Sequence, residues 1–300
     1  MRPGISAGLA LMAGAALRVW MLWKFFEVNG DSRLYGGMAK NLVLHGRYAL
    51  TDAGGALHPT LIRLPGYPLY LAVCFRLFGM ENYYWAACVQ IALELSGCAL
   101  LALFVHRIAL PAYKSSAAHA TLWLAVLCPF TAVYAAAPLT ESLTLFCIAL
   151  GLWSAARFQD RPGWASALTF TFAVTYAALL RPDGVLVGVA LVPAVGARLF
   201  RSPAHQSSRA PSFRLFSVER VGHENLRIAI ACLLLGLAPF AVWTWRNWRV
   251  FHVVEPLAPR YATDPGEDTW PGFQRWVKTW SVDFVSTYQV YWNIPGGPMD

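Results

Sequence analysis

The chain has 300 residues, of which 57% are hydrophobic and 13% charged, with 13 tryptophans; a soluble domain carries roughly 25% charged residues, so lipid is the solvent for most of this one. The formal net charge of +8 is spread over connections between apolar runs rather than gathered on a polar domain, which excludes a nucleic-acid surface. Six cysteines without CxxC or Cys/His spacing indicate neither a zinc site nor a disulfide framework.

A helix needs roughly 20 apolar residues to cross the hydrocarbon core. By that measure the sequence predicts an all-α polytopic membrane protein with about seven spans, at 5–26, 83–107, 117–136, 139–157, 163–180, 184–200 and 227–248. The first apolar run is longer than a signal-peptide core and no small-residue cleavage site follows it, so it reads as a retained helix. Behind it comes a polar, aromatic-rich loop over 27–82, containing GDSRLYGGMAKNLVLHGRYAL and PTLIRLPGYPLY. Residues 66–79 are apolar but short and interrupted by Arg76, as expected of a helix lying in the membrane interface. Pro129 and Pro239 fall inside spans, which a bilayer tolerates where neighbouring groups satisfy the freed carbonyls. Lys and Arg in the short connections favour a cytoplasmic N-terminus, with the loop 27–82 on the outer face. The Ser-, Pro- and Arg-rich stretch 201–226 reads as a cytoplasmic linker. The division expected is a transmembrane domain over 1–249, then an outer segment over 250–300 that ends without a returning helix, as if the chain were cut short.

With that topology, three acids from distant parts of the sequence reach one membrane face: Asp31 after span one, Glu141 at the start of span four, and Asp183 between spans five and six. A carboxylate at this level is costly unless hydrated, paired or bound to a cation, and so is a functional candidate. Each also has a structural reading. Asp31 suits an N-cap for a helix over 32–44, Glu141 suits the dipole of a first helical turn, and Asp183 can pair with its neighbour Arg181. Arg18, inside span one, reads as snorkelling outward past Trp20 and Trp23. Glu94, the only acid deep inside a span, reads as an interhelical bonding partner. Arg33, Arg63 and Arg181 on the outer face suit a lipid phosphate, because the guanidinium fork matches its oxygens. Tyr35, Tyr67 and Tyr70 suit a sugar or a prenyl groove. Together they fit transfer of a group from a membrane-anchored phosphate, with a carboxylate as general base toward a hydroxyl.

The order of these motifs resembles the GT-C glycosyltransferases, nearest the dolichyl-phosphate-mannose protein mannosyltransferase and aminoarabinose transferase branch. The likeness lies in GDSRLYGGMAKNLVLHGRYAL after the first helix, RLPGYPLYLAVCFRLFG, APLTESLTLF, LLRPDGVLV and APFAVWTWRNWRVF, covering residues 1–250. The resemblance implies a GT-C-like helix bundle with interfacial helices in its first extracytoplasmic loop. It implies an inverting hexosyl- or pentosyltransferase that uses a polyprenyl-phosphate sugar, in a bacterial inner membrane with the site outside. Asp31 takes the role of the catalytic carboxylate, and Glu141 the second acidic position, shaping the acceptor or a divalent-cation site. Arg63 lies near where some relatives place a basic residue on the donor phosphate; from their place on the outer face, Arg33 and Arg181 join it there, and Tyr35, Tyr67, Tyr70 and Asp183 line the substrate. Glu/His zinc ligands found in some relatives have no match here, so no metal ligands are assigned. The acceptor is a glycan, lipid or protein of the cell envelope. From other classes, a flippase for a lipid-linked substrate would need charged residues or broken helices near mid-bilayer, and a non-catalytic envelope-assembly protein would keep only the fold.

Overall fold

The computed structural model describes residues 3–28, 30–200, 223–259, 263–267 and 270–281. Among the described residues the chain is all-α apart from one small hairpin, and it divides into two compact units, 1–258 and 259–300. The expected linker over 201–226 lies, up to residue 222, outside the described residues.

In the first unit, α1 (Pro3–Phe25) is followed by α2 (Gly30–His45), a short helix with Asp31 in its first turn and His45 in its last, both favourable to the helix dipole. Gly46, at φ 63°, ends α2 in the left-handed conformation that glycine adopts without penalty. A hairpin not foreseen from sequence follows: β1 (Ala49–Thr51) pairs antiparallel with β2 (Leu57–Pro59), Leu50 opposite His58. Its turn is closed by Asp52, whose Oδ1 accepts from the Ala56 amide at 2.8 Å and whose Oδ2 meets His58 Nε2 at 2.7 Å. The His58 bond holds Asp52 below the usual carboxylate range. The expected interfacial helix is α3 (Gly66–Phe78), and Asn82 then caps α4 (Tyr83–Ile108) through the Trp85 amide.

The span expected over 117–136 is broken. α5 (Lys114–Val126) and α6 (Pro129–Ala136) meet at a 50° bend, because Pro129 brings no amide to continue the ladder. α7 (Glu141–Asp160), α8 (Trp164–Leu180), α9 (Val185–Phe200) and α10 (His223–Phe251) complete the bundle. Among the described residues, α1, α4, α7 and α10 are long and apolar enough to cross a membrane, and the bent α5–α6 pair makes a fifth crossing if taken as one span. The protein is thus an integral membrane protein by the length and composition of its helices. α8 and α9 have 17 and 16 residues, about 25 Å at 1.5 Å per residue, a little short of a full crossing.

α4 and α7 form the central pair, and α3 and α8 close over their ends around a core that includes Tyr35, Tyr67, Leu71, Phe75, Leu143 and Leu180. Two glycines make this end possible. A Cβ on Gly66 would lie 2.6 Å from the Leu179 carbonyl, and one on Gly184, in the tight 3-10 turn Pro182–Gly184, would lie 2.1 Å from the Ala177 oxygen. Only a hydrogen fits at either, so α3 can close on the end of α8 and the α8–α9 turn can fold tightly back on it. At the opposite end, Arg107 of α4 bonds Asp160 of α7 at 2.6 Å.

In the second unit, α11 (Pro271–Trp280) is a ten-residue helix with Pro271 at its start.

Candidate functional site

Five charged side chains gather at the end of the bundle where α1 leads into α2, α7 begins and α8 ends. Arg63, from the link between β2 and α3, places Nη2 2.7 Å from Asp31 Oδ1. Arg181, just past α8, places Nη1 2.8 Å from Glu141 Oε1 and grips Asp183 from the other side, with Nε at 3.0 Å from Oδ1 and Nη2 at 3.4 Å from Oδ2. Asp183 and then Glu141 hold this guanidinium above its usual range. Tyr35, one helical turn after Asp31, joins the two groups. Burial pushes its hydroxyl up to about 12, and it feels the charges of Arg63, Asp31, Glu141 and Arg181 together. The phenol therefore stays protonated and can donate a hydrogen bond between the two ion pairs.

Asp31 is 49% exposed and Arg63 19%, so the carboxylate opens outward while its partner is held from behind. Asp31 is not used as an N-cap: Oδ1 is taken by Arg63, and Oδ2 has no protein partner among the described residues. What fixes Arg63 was missed from sequence. Tyr48 donates its hydroxyl to the Arg63 carbonyl at 2.9 Å, and Arg246 of α10 bonds the Tyr48 and Thr60 carbonyls at 2.7 and 2.8 Å. The guanidinium of Arg246 also lies over the rings of Tyr48, Trp243 and Phe251 at 5.3–5.4 Å. An arginine set among the aromatics near the end of the last span, Trp243-Thr244-Trp245-Arg246, was the available signal.

Three expected site residues lie elsewhere. Arg33 turns away from the cluster, with Nε on the Val28 carbonyl at 3.0 Å, and faces Tyr83 rather than a phosphate position. Tyr67 is fully buried and donates to Gln90 Oε1 at 2.9 Å, so it packs beneath the cluster instead of lining a groove. Tyr70 is half-buried and spends its hydroxyl on the Ala86 carbonyl at 2.6 Å. Burial pushes both phenols well up. Tyr35 stacks edge-on to Tyr67 at 5.1 Å, so the three rings form one packed column. Among the described residues, no three His, Cys, Asp or Glu side chains converge as metal ligands.

Arg18 does not snorkel. It is 0% exposed and its guanidinium is spent on Glu94, 3% exposed: Nε and Nη2 each meet a carboxylate oxygen, the latter at 2.7 Å. Nη1 donates to the Gly14 and Val126 carbonyls at 3.0 and 2.7 Å. The Val126 carbonyl is one that the α5–α6 break leaves without a helical partner, so Arg18 satisfies the bend as well as the acid. Glu94 is a bonding partner, as expected.

An apolar cavity of about 720 Å³ lies between α8, α9 and α10, lined by Phe170, Val174, Val192, Val195, Leu233 and Phe240 among others. Its lining includes Ala178 and Val185, close in sequence to Arg181 and Asp183.

Compared with protein-family models, curated proteins and solved structures, the chain matches none.

Proposed function

We propose that this protein is a membrane glycosyltransferase that moves a hexose or pentose from a polyprenyl-phosphate donor to a hydroxyl acceptor, on the extracytoplasmic face of a bacterial inner membrane. The observation that carries this reading is the meeting of Asp31–Arg63 with Glu141–Arg181–Asp183 around Tyr35. Asp31 is the general base: its outward oxygen takes the proton of the acceptor hydroxyl as that oxygen attacks the anomeric carbon. The bond from that carbon to the phosphate oxygen breaks with inversion, and the electron pair leaves with the polyprenyl phosphate. Arg63 and Arg181 receive the phosphate charge, and Tyr35, protonated throughout, donates to the sugar. Three carboxylates stand against two guanidiniums here, so the donor phosphate must compete with Glu141 and Asp183 for Arg181. The cavity between α8, α9 and α10 is of a size that suits a small molecule or lipid chain, and its apolar lining, which reaches Ala178 and Val185, suits the isoprenoid.

The test is transfer of radiolabel from polyprenyl-phosphate sugars by the reconstituted protein. Asp31→Asn is expected to lower turnover by a factor on the order of 100 or more, the contribution typical of a general base, with an unchanged melting temperature. Full turnover in that variant refutes the assignment. One observation favours the flippase reading, the 50° break between α5 and α6 beside a buried charge pair. In the same vesicles, label that changes leaflet while still on its lipid would select it.

A further inference from the structure

The α11 segment of the second unit reads WPGFQRWVKTW from Trp270, with Arg275 and Lys278 and no acid. Phe273, Trp276, Val277 and Trp280 recur at i, i+3, i+4 and i+7, which sets them on one stripe of about 100°, with Arg275, Lys278 and Thr279 on the far side. Val277 is buried, yet Trp276 and Trp280 on the same stripe remain 55% and 40% exposed. The two indoles stack edge to face at 5.2 Å, and Trp276 also meets Phe273 at 6.0 Å. They form a preformed aromatic ridge rather than two independent surface residues.

Water is a poor neighbour for this ridge. The indole is the side chain that best suits the boundary between headgroups and acyl chains, with an apolar body and one N–H for the wet side. The sequence also places the helix beside such a boundary. α10 ends at Phe251, and the residues from 252 to 270 include Glu255, Arg260, Asp264, Glu267 and Asp268 with no apolar run that could recross a bilayer. No further crossing therefore separates the end of α10 from α11 in the sequence. The cationic residues opposite the ridge point to water, as on helices that lie in the plane of a membrane.

We propose that α11 docks on the bilayer surface, with Trp276 and Trp280 inserted at the headgroup–acyl boundary and Arg275 and Lys278 facing solvent. This holds whether or not the chain transfers sugars, because it rests only on α11 and on the spanning α10.

The experiment uses the full chain reconstituted in phosphatidylcholine vesicles. The fluorescence of Trp276 and Trp280 is taken as the difference between the wild type and the Trp276→Phe/Trp280→Phe variant. The vesicles are prepared with and without 6,7-dibrominated acyl chains, and aqueous iodide is titrated separately. The expected result is a blue-shifted difference emission that bromolipid quenches strongly and iodide barely touches. Quenching by iodide without bromolipid quenching overturns the proposal, since the ridge is then in water. Insensitivity to both quenchers also overturns it, since the indoles are then sealed against protein or a second copy. The two single variants, each leaving one indole, repeat the measurement should the double variant fail to fold.

Discussion

Replacing Arg18 by Leu should cost far more than any substitution at the charged cluster. The guanidinium lies at zero exposure and makes four oxygen contacts, two to Glu94 and one each to the Gly14 and Val126 carbonyls. Its loss leaves a buried carboxylate without a counter-charge, about 3–5 kcal/mol by the usual behaviour of broken buried pairs. It also orphans the Val126 carbonyl at the α5–α6 bend, a further ~1–3 kcal/mol. Glu94→Leu leaves the opposite charge stranded and should cost a similar amount. The double variant Arg18→Leu/Glu94→Leu removes both charges together and retains only the cost at Val126, so it should be more stable than either single variant. Thermal unfolding in detergent reads this directly. For a chain of this size roughly 2 °C accompanies each kcal/mol, so Arg18→Leu should melt about 8–16 °C and Glu94→Leu about 6–10 °C below wild type, with the double variant between them and wild type. A double variant that falls by the sum of the two single losses would refute the reasoning, because it would mean that the groups do not depend on one another.

Two further outcomes follow from the end of the bundle that carries the cluster. Burial raises the Tyr35 hydroxyl from its usual 10.0 to about 12; the folded state holds a proton that the unfolded state has lost, so its contribution is full below pH 10 and is lost between pH 10 and 12. The difference is at most about 3 kcal/mol; in alkaline melts Tyr35→Phe should flatten the decline over that window, and an unchanged slope would count against the burial. Gly184→Ala sets a methyl against the Ala177 oxygen and must displace the turn that carries Arg181 and Asp183; it should cost about 1–3 kcal/mol in thermal unfolding, and a wild-type melt would show that the turn is looser than drawn.

The helices were legible because a bilayer demands long apolar runs, and α1, α4, α7, α8, α9 and α10 all lie where such runs were found, with α3 where a shorter apolar stretch was read as interfacial. That Asp31, Glu141 and Asp183 meet at one end was also legible, since each sits on a connection that emerges at that end once the spans are counted. Their partners were not. Arg63 reaches Asp31 across 32 residues and a hairpin, and no local pattern encodes such a pairing. Tyr67 was open to a better reading: Tyr67, Leu71, Cys74 and Phe75 fall at i, i+4, i+7 and i+8 and are all buried, so helical period alone places that ring in the core. Arg18 and Glu94 were weighed separately, although two opposite charges, each deep inside a separate span, are each other's cheapest solution in a medium without water. The proximity of Trp20 and Trp23 favoured snorkelling, but Arg18 lies seven residues before the end of α1, about 10 Å along the axis, and Glu94 is nearer than the surface.

These buried pairings also decide how the cluster is held. Gln90 and Glu94 stand one turn apart on α4. Glu94 holds α1 through Arg18. Gln90 accepts from Tyr67 of α3 and donates to the Ala137 carbonyl at 2.6 Å, four residues before Glu141. Tyr67 in turn supports the ring of Tyr35, which lies among the charges. The exposed ion pairs are worth little by themselves, since solvent screens them and their side chains are long. A satisfied polar network inside the bundle is costly to disturb. The distance between Asp31 and Glu141 is therefore set from below, by a ladder of hydrogen bonds along α4. The arginines above can release a carboxylate without loosening the frame that positions them.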